Sequence, residues 1–336
     1  MNNSIFAVQS LDRSLNEWEN RIGDLSPVEH VGDLQFKRED KFAPLGYGNI
    51  NGTKLRQCIS LIAKYYFNAP QAVGVISGAV TGSPQHPMVA TICKHYGLHC
   101  VNVVGTQDIN KHKNLLIARN MGANFEFCKV GYAKTLESTA FKLRESRYPG
   151  YYVLETNITL DHKKHPASSI KDFHHISSRQ AENIPSEIET LIVPAGSCNS
   201  VTSVLYGLTR FPNSVKRVIL LGIGSYGSKD PDYIRRRLNI IGSVDNVNME
   251  EKFNFRFQKN ALSFMEGNMI DVHHVDINGS GFCTYADMMP YNYHGIEMHP
   301  RYEGKCWNYM DKHPEIFSKY MNKNTLFWIV GSEPQA

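Results

Sequence analysis

From about residue 73 onward, strand-like and helix-like stretches alternate along the chain. The first series consists of strand-like 73–76, helix-like 87–96, strand-like 100–104, helix-like 111–121, strand-like 125–128, helix-like 136–147 and strand-like 151–154. A strand, a helix and another strand in succession predict a right-handed crossover, and a run of such crossovers predicts a parallel sheet. The sequence therefore predicts an α/β fold.

A second α/β series follows the first. Its segments are strand-like 190–193, a helix from about residue 201, strand-like 217–221, helix-like 305–321 and a buried strand at 325–330. Residues 242–270 show no clear pattern. Two series of this kind indicate two α/β domains.

Length and composition restrict the class of protein. The chain has 336 residues, of which 42% are hydrophobic and 20% charged, so we expect a soluble globular protein with room for two domains. It has no apolar run of membrane-spanning length, and Met1–Ser4 does not begin a signal peptide. These features predict a cytoplasmic protein without a membrane partner.

Cysteine and histidine spacing argues against a metal site or a disulfide framework. The seven cysteines contain no Cys-x-x-Cys pair, which favours reduced thiols. Two histidine pairs are adjacent in sequence, and adjacent residues point in different directions. The net charge of +4 is only weak evidence for a polyanionic partner.

One lysine opens a helix directly after a glycine-containing loop. The segment runs through Lys37–Asp40, Pro44–Gly46 and Gly52–Arg56, with Lys54 in the first helical turn. A buried amine in such a position can form a Schiff base with a cofactor aldehyde. The alternative is a surface lysine on an ordinary helix, where most lysines lie.

The lysine segment resembles the cofactor-lysine segment of fold-type II pyridoxal-phosphate (PLP) enzymes, a family similar to the tryptophan synthase β subunit. The nearest relatives would be 1-aminocyclopropane-1-carboxylate deaminase and D-cysteine desulfhydrase. The resemblance implies two parallel-sheet, three-layer domains with the cofactor in the cleft between them. It implies a large PLP-binding domain of 1–59 and 161–336, a small inserted domain of 60–160, and a homodimer.

A second segment of the resemblance is Gly82–Ala90, which follows a strand and opens a helix. In the family, a Ser-Asn loop here holds the substrate carboxylate, and Ser83 matches its catalytic serine. The resemblance implies that Ser83, Gln85 and His86 bind the substrate. Pro84 stands where the family has an asparagine that contacts the cofactor's ring hydroxyl. An ordinary N-cap serine is the alternative interpretation of Ser83.

A third segment, Pro194–Ser200, lies between a buried strand and a helix and resembles the family's phosphate loop. Backbone amides at a helix start can bind a phosphate. The cofactor-binding residues implied here are Gly196, Ser197, Cys198, Asn199 and Ser200. An ordinary tight turn is the alternative.

A fourth segment, His299–Lys305, resembles the family pattern Asp-Pro-x-Tyr-x-Gly-Lys and precedes an apolar strand and the turn Gly331–Pro334. The resemblance places Tyr302 beside the cofactor and gives Glu303 a hydrogen bond from the pyridine nitrogen. It also implies a cofactor-binding Ser332 and a second active-site tyrosine, Tyr285. The alternative for Glu303 is a structural acid at a helix start.

The substrate side departs from the family pattern. Besides Pro84, Thr53 stands where the deaminases have asparagine, and Gln57 stands where they commonly have lysine. Thr53 is still expected to contact the cofactor. These changes argue against an ordinary 1-aminocyclopropane-1-carboxylate deaminase.

The sequence therefore predicts a PLP-dependent lyase or deaminase that acts on a small-molecule substrate, an amino acid or an amino-acid derivative, through Lys54. One alternative is a decarboxylase or lyase whose amino acid is tethered to a larger molecule, such as a hypermodified base of phage DNA. A second is a non-catalytic binding protein with the same fold. Retention of Lys54 argues against the second, because a binding module does not need that amine.

Overall fold

The computed structural model describes residues 15–46, 50–69, 71–224, 231–257, 262 and 267–334. In this part of the chain, the α-helices are α1 (Leu15–Ile22), α2 (Thr53–Asn68), α3 (Gln85–Tyr96), α4 (Lys113–Asn120), α5 (Ala133–Ser146), α6 (Ala167–Ser178), α7 (Asn199–Arg210), α8 (Pro231–Asp245), α9 (Glu303–Lys312) and α10 (Pro314–Phe317). None of these described helices is both long and apolar enough to cross a membrane.

The described strands form two larger sheets and a small hairpin. They are β1 (Val28–Val31), β2 (Leu34–Arg38), β3 (Gly74–Gly78), β4 (His99–Val104), β5 (Asn124–Phe127), β6 (Tyr152–Leu154), β7 (Thr190–Ala195), β8 (Arg217–Gly222), β9 (Phe253–Phe257), β10 (Ile270–Asp276), β11 (Tyr291–Tyr293), β12 (Ile296–Met298) and β13 (Thr325–Ile329). Parallel sheets mixed with helices confirm the predicted α/β class.

Internal contacts divide the chain into two compact units. Unit 1 contains the described residues of 1–22, 40–160 and 333–336, and unit 2 contains 23–39 and 161–332. The sequence predicted a small domain of 60–160 inserted into a large domain of 1–59 and 161–336. That domain assignment stays a prediction.

Unit 1 is built on a four-stranded parallel sheet in the order β5–β4–β3–β6. On one face, Ile76, Val101 and Val153 pack against Leu136 and Ala140 of α5. α3 also packs against β3 and β4. All of β3 is buried, as is typical of a parallel strand that is covered on both faces.

Unit 2 is built on a seven-stranded sheet in the order β1–β2–β13–β7–β8–β10–β9. The β1–β2 pair is antiparallel and the other pairs are parallel. Its core contains Phe36, Trp307 and Phe327, and the Trp307 ring lies 6.1 Å from Phe36 and 5.1 Å from Phe327. Aromatic packing therefore joins α9 to the sheet strands β2 and β13.

The structure differs from the predicted elements in two places. The helix predicted over 305–321 ends at Lys312, and a short helix restarts at Pro314, which cannot continue a helix because it lacks an N–H. The stretch 242–270, which showed no clear pattern, contains the end of α8, all of β9 and the first residue of β10.

Candidate active site

The backbone before α2 directs Lys54 into the first turn of the helix. Gly52, the N-cap residue, has φ of 93° and ψ of 178°, a conformation that is essentially restricted to glycine. Its N–H donates to the Phe42 carbonyl at 3.0 Å. Thr53, which was predicted to contact the cofactor, is the first residue of α2 and is 4% exposed.

The Lys54 amine meets no hydrogen-bonding or ion-pair partner among the described residues. Part of the residue surface stays exposed, but the surrounding protein desolvates the amine and lowers its pKa below the usual lysine value. Burial raises the pKa of the neighbouring Cys58 thiol to about 12, so this thiol is neutral at pH 7. A lowered pKa increases the unprotonated fraction of Lys54, and the unprotonated amine is the nucleophile.

The loop between β3 and α3 carries the predicted substrate-binding residues. Ser83 is 4% exposed, and its Oγ accepts the Gln85 N–H at 3.2 Å. The Gln85 side chain donates to Ser77 Oγ at 2.9 Å and to the Glu155 carbonyl at 3.1 Å. These bonds connect the loop to β3 and to the residue after β6.

His86 is fully buried, and its Nε2 lies 3.1 Å from the Ala79 carbonyl and 3.2 Å from the Val80 carbonyl. Burial, with a smaller contribution from the Lys54 charge, lowers the pKa of His86 to about 4. The imidazole is therefore neutral at pH 7. Substrate binding by Gln85 and His86 stays a prediction, since the side-chain bonds described for both are intramolecular.

The predicted phosphate loop joins β7 to α7. Cys198 has a left-handed φ of 63°, and α7 begins at Asn199. In the described structure, the amides of Ser197 and Ser200 donate no hydrogen bond. A Cβ on Gly196 would meet no atom within 4 Å. Open space beside undonated amides at a helix start is the arrangement that an anion requires.

Glu303 lies at the same sheet edge as this loop. It is the first residue of α9, is fully buried, and accepts the Val330 N–H through Oε1 at 2.7 Å. β7 and β13 are parallel neighbours, so their carboxyl ends lie side by side. This places Glu303 and the partly buried Ser332, which follows β13, near the 196–200 loop.

The two predicted tyrosines meet within unit 2. The hydroxyls of Tyr285 and Tyr302 are 3.3 Å apart, and burial raises the pKa of Tyr302 well above its usual value. Lys305 Nζ donates to the carbonyl of Tyr285 at 3.0 Å, and Arg301 donates to the same carbonyl at 3.1 Å. These bonds fix the segment that carries Tyr285.

Two buried polar residues beside the substrate loop were absent from the sequence prediction. Ser77 lies in β3 and Asn102 in β4, and both are fully buried. The available signal was a polar residue directly after the 73–76 run and another within 100–104. Neither residue was singled out, because each adjoins or interrupts an apolar run that was interpreted only as a buried strand.

Each unit, taken by itself, carries groups that fit a part of PLP. In unit 1, Lys54 has a desolvated amine that suits the aldehyde. In unit 2, the 196–200 loop has amides that suit the phosphate, and Glu303 has a buried carboxylate that suits the ring nitrogen. These assignments remain predictions for each residue.

Comparison with known proteins found a relative that matches this chain over almost its whole length. The O-seryl-dTMP PLP-dependent decarboxylase of Salmonella phage ViI is 36% identical over 98% of this chain and 87% of its own length. No protein-family model matches the chain.

Solved structures share the fold. A 1-aminocyclopropane-1-carboxylate (ACC) deaminase homologue superposes with a TM-score of 0.65 at 15% identity, covering 96% of this chain and 95% of its own. A PLP-dependent aspartate racemase superposes with a TM-score of 0.55 at 13% identity, covering 96% and 95%. At such identities the likeness shows the fold alone.

Replacing Lys54 by alanine should abolish the covalent attachment of PLP and reduce turnover by about 10³-fold or more. The measurement is the visible absorbance of the purified protein, followed by borohydride reduction and peptide mapping. The matched control is Lys64→Ala on the same helix, which should keep the absorbance band. Labelling at Lys41 or Lys305 instead of Lys54 would show that the cofactor lysine is misassigned.

Replacing Gly196 by valine should weaken PLP binding about tenfold or more, the loss expected when a charge-assisted hydrogen bond is broken. The new side chain enters open space, so the free energy of unfolding without cofactor should change by less than about 0.5 kcal/mol. PLP titration and urea unfolding measure the two quantities. Gly267→Val, also in open space of unit 2, is the control. Unchanged PLP affinity in Gly196→Val would remove this loop from the phosphate site.

Proposed function

The chain belongs to the family of fold-type II PLP-dependent enzymes of the lyase and decarboxylase type, and on that premise we propose that it decarboxylates an amino acid joined to a nucleotide. In this reaction the Cα–carboxylate bond breaks, carbon dioxide leaves, and one proton is added at Cα. The product is a primary amine that stays attached to the nucleotide.

The observation that carries the proposal is the near end-to-end match to the phage ViI enzyme. Its name assigns it O-seryl-dTMP as substrate and decarboxylation as reaction. A match over 98% of this chain includes both the lysine segment and the loop at 82–86. The departures from the deaminase pattern at Thr53, Gln57 and Pro84 support the same assignment, because they lie on the substrate side.

Bound PLP supplies an electron-accepting ring that stabilises negative charge at Cα. Lys54 would hold the cofactor through its amine and would then serve as an acid–base group. Because its pKa is lowered, the amine exchanges a proton near neutral pH more readily than a surface lysine does. Lys54 is the proposed donor of the proton that replaces the carboxylate at Cα.

The 82–86 loop orients the substrate carboxylate and so selects the bond that breaks. The orientation of the carboxylate would determine which bond to Cα breaks. Pro84 has no N–H and no side-chain amide, so it cannot reproduce the contacts of an asparagine. The carboxylate is therefore held by a different set of groups, with Ser83 as the proposed contact.

Two groups of unit 2 are proposed cofactor contacts. The Glu303 carboxylate, which accepts the Val330 N–H at 2.7 Å, would accept a hydrogen bond from the protonated ring nitrogen of PLP. Tyr302 stays protonated because its pKa is raised, so its hydroxyl can act as a hydrogen-bond donor.

The proposal predicts carbon dioxide release from seryl-linked thymidine monophosphate, and little or no ammonia release from 1-aminocyclopropane-1-carboxylate or free serine. The measurement is a panel assay of both gases with these substrates, including the seryl nucleotide within an oligonucleotide. The Lys54→Ala protein is the blank for each substrate.

Robust ammonia release from 1-aminocyclopropane-1-carboxylate would contradict the proposal and favour the deaminase alternative. Comparable rates on the mononucleotide and the oligonucleotide would place recognition in the base and its amino acid. A preference for the oligonucleotide would identify DNA as the carrier.

A further inference from the structure

Two positively charged side chains converge on one carbonyl oxygen around the start of α9. Arg301 Nη1 donates to the Tyr285 carbonyl at 3.1 Å, and Lys305 Nζ donates to the same oxygen at 3.0 Å. Burial lowers the pKa of Lys305, and the positive charge of Arg301 lowers it further. The two like charges therefore lie close enough to repel each other.

Neither of these cations forms an ion pair with a carboxylate in the described part of the chain. Lys305 donates a second hydrogen bond to another carbonyl, that of Thr284, at 2.6 Å. Asp287 acts on Lys305 only from beyond ion-pair distance, and its carboxylate accepts the Thr284 N–H at 2.7 Å. Two adjacent positive charges without a paired carboxylate create a positive potential that favours an anion.

Arg301 is the member of the pair that an anion can reach. Lys305 is fully buried, whereas Arg301 and Tyr285 are partly exposed. A guanidinium has five N–H donors, and that of Arg301 donates a single hydrogen bond among the described residues. It lies 5.5 Å from the centre of the Tyr285 ring. The guanidinium is therefore held in place while most of its donors stay available to an acceptor.

The position of Arg301 connects it with the proposed cofactor contacts of unit 2. Arg301 directly precedes Tyr302, whose hydroxyl lies 3.3 Å from that of Tyr285. The 196–200 loop is the proposed site of the cofactor phosphate, and Ser83 is the proposed contact of the substrate carboxylate. A substrate that is joined to a nucleotide brings one further anion, the nucleotide phosphate, which needs a site of its own.

We infer that Arg301 binds the phosphate of the substrate's nucleotide, with Lys305 adding to the positive potential. This inference rests on the proposed function and assigns a residue to its substrate specificity. The planar fork of guanidinium N–H groups matches the paired oxygens of a phosphate. A mononucleotide and a phosphodiester of DNA both present such oxygens, so the experiment has to distinguish the two sources.

The test is Arg301→Gln, assayed with seryl-linked thymidine monophosphate and with seryl-linked thymidine, which lacks the phosphate. Loss of a charge-assisted hydrogen bond should raise KM for the phosphorylated substrate about tenfold or more, with a much smaller change in kcat. With the phosphate-free substrate, the difference between variant and wild type should shrink to within about twofold. Arg301→Lys should recover only part of the loss, because it keeps the charge but not the fork. Equal losses on both substrates would indicate a structural role and contradict the inference.

Arg217→Gln is the matched control. Arg217 is also a partly exposed arginine of unit 2, and it donates to Thr190 Oγ1 at 3.2 Å. It is the first residue of β8, so it lies at the sheet edge opposite the 196–200 loop. KM for both substrates should match that of the wild type. A rise equal to that of Arg301→Gln would show that any lost positive charge has the same effect.

Calorimetric titration of the PLP-loaded protein with thymidine monophosphate and with thymidine gives a readout independent of turnover. Arg301→Gln should weaken binding of the monophosphate about tenfold or more and leave the affinity for thymidine unchanged. Equal affinities of wild type and variant for the monophosphate would overturn the inference.

A short thymidine oligonucleotide distinguishes the two sources of phosphate. Tighter Arg301-dependent binding of the oligonucleotide than of the monophosphate would identify the phosphodiester of DNA, and the reverse order would identify the free nucleotide. If the wild type released no carbon dioxide from any substrate, the proposed function would fail, while Arg301-dependent binding of the monophosphate would still stand.

Discussion

The desolvated amine of Lys54 is the constraint on which the proposed chemistry of this chain depends. Burying a charged ammonium without a partner is unfavourable, and the described structure offers this amine none. A backbone conformation, a hydrogen bond and a cation–π contact hold its surroundings in place. Gly52 adopts a backbone conformation restricted to glycine, and the Arg56 guanidinium bonds to the Ile22 carbonyl and stacks 3.5 Å from the centre of the Phe42 ring. These contacts fix the start of the helix that carries the amine.

Parallel strands explain how distant segments meet in unit 2. The 196–200 loop follows β7, and Ser332 follows β13, more than a hundred residues later. The two strands are neighbours, so both segments reach one sheet edge, and the Val330 N–H holds Glu303 there. In unit 1 the same rule places the Ser83 loop at the carboxyl end of β3.

Strand and helix alternation predicted most of the fold, because apolar runs such as 190–193 and 217–221 are strong local signals. β10 was missed because aspartate and histidine residues interrupt its apolar pattern, although the strand is buried. The resemblance supplied the site candidates, but contacts such as Tyr285 with Tyr302, and His86 with the Ala79 carbonyl, join residues whose proximity depends on folding. Periodicity carries no information on such contacts, so identifying them required the structure.

The family membership fixes the cofactor, and the proposed substrate and reaction distinguish this chain from the deaminases. The most direct measurement is mass spectrometry of the product formed from seryl-linked thymidine monophosphate in D₂O. Decarboxylation predicts an amine that has lost carbon dioxide and gained one carbon-bound deuterium at the former Cα. A product that has lost ammonia and keeps its carboxylate would contradict the account.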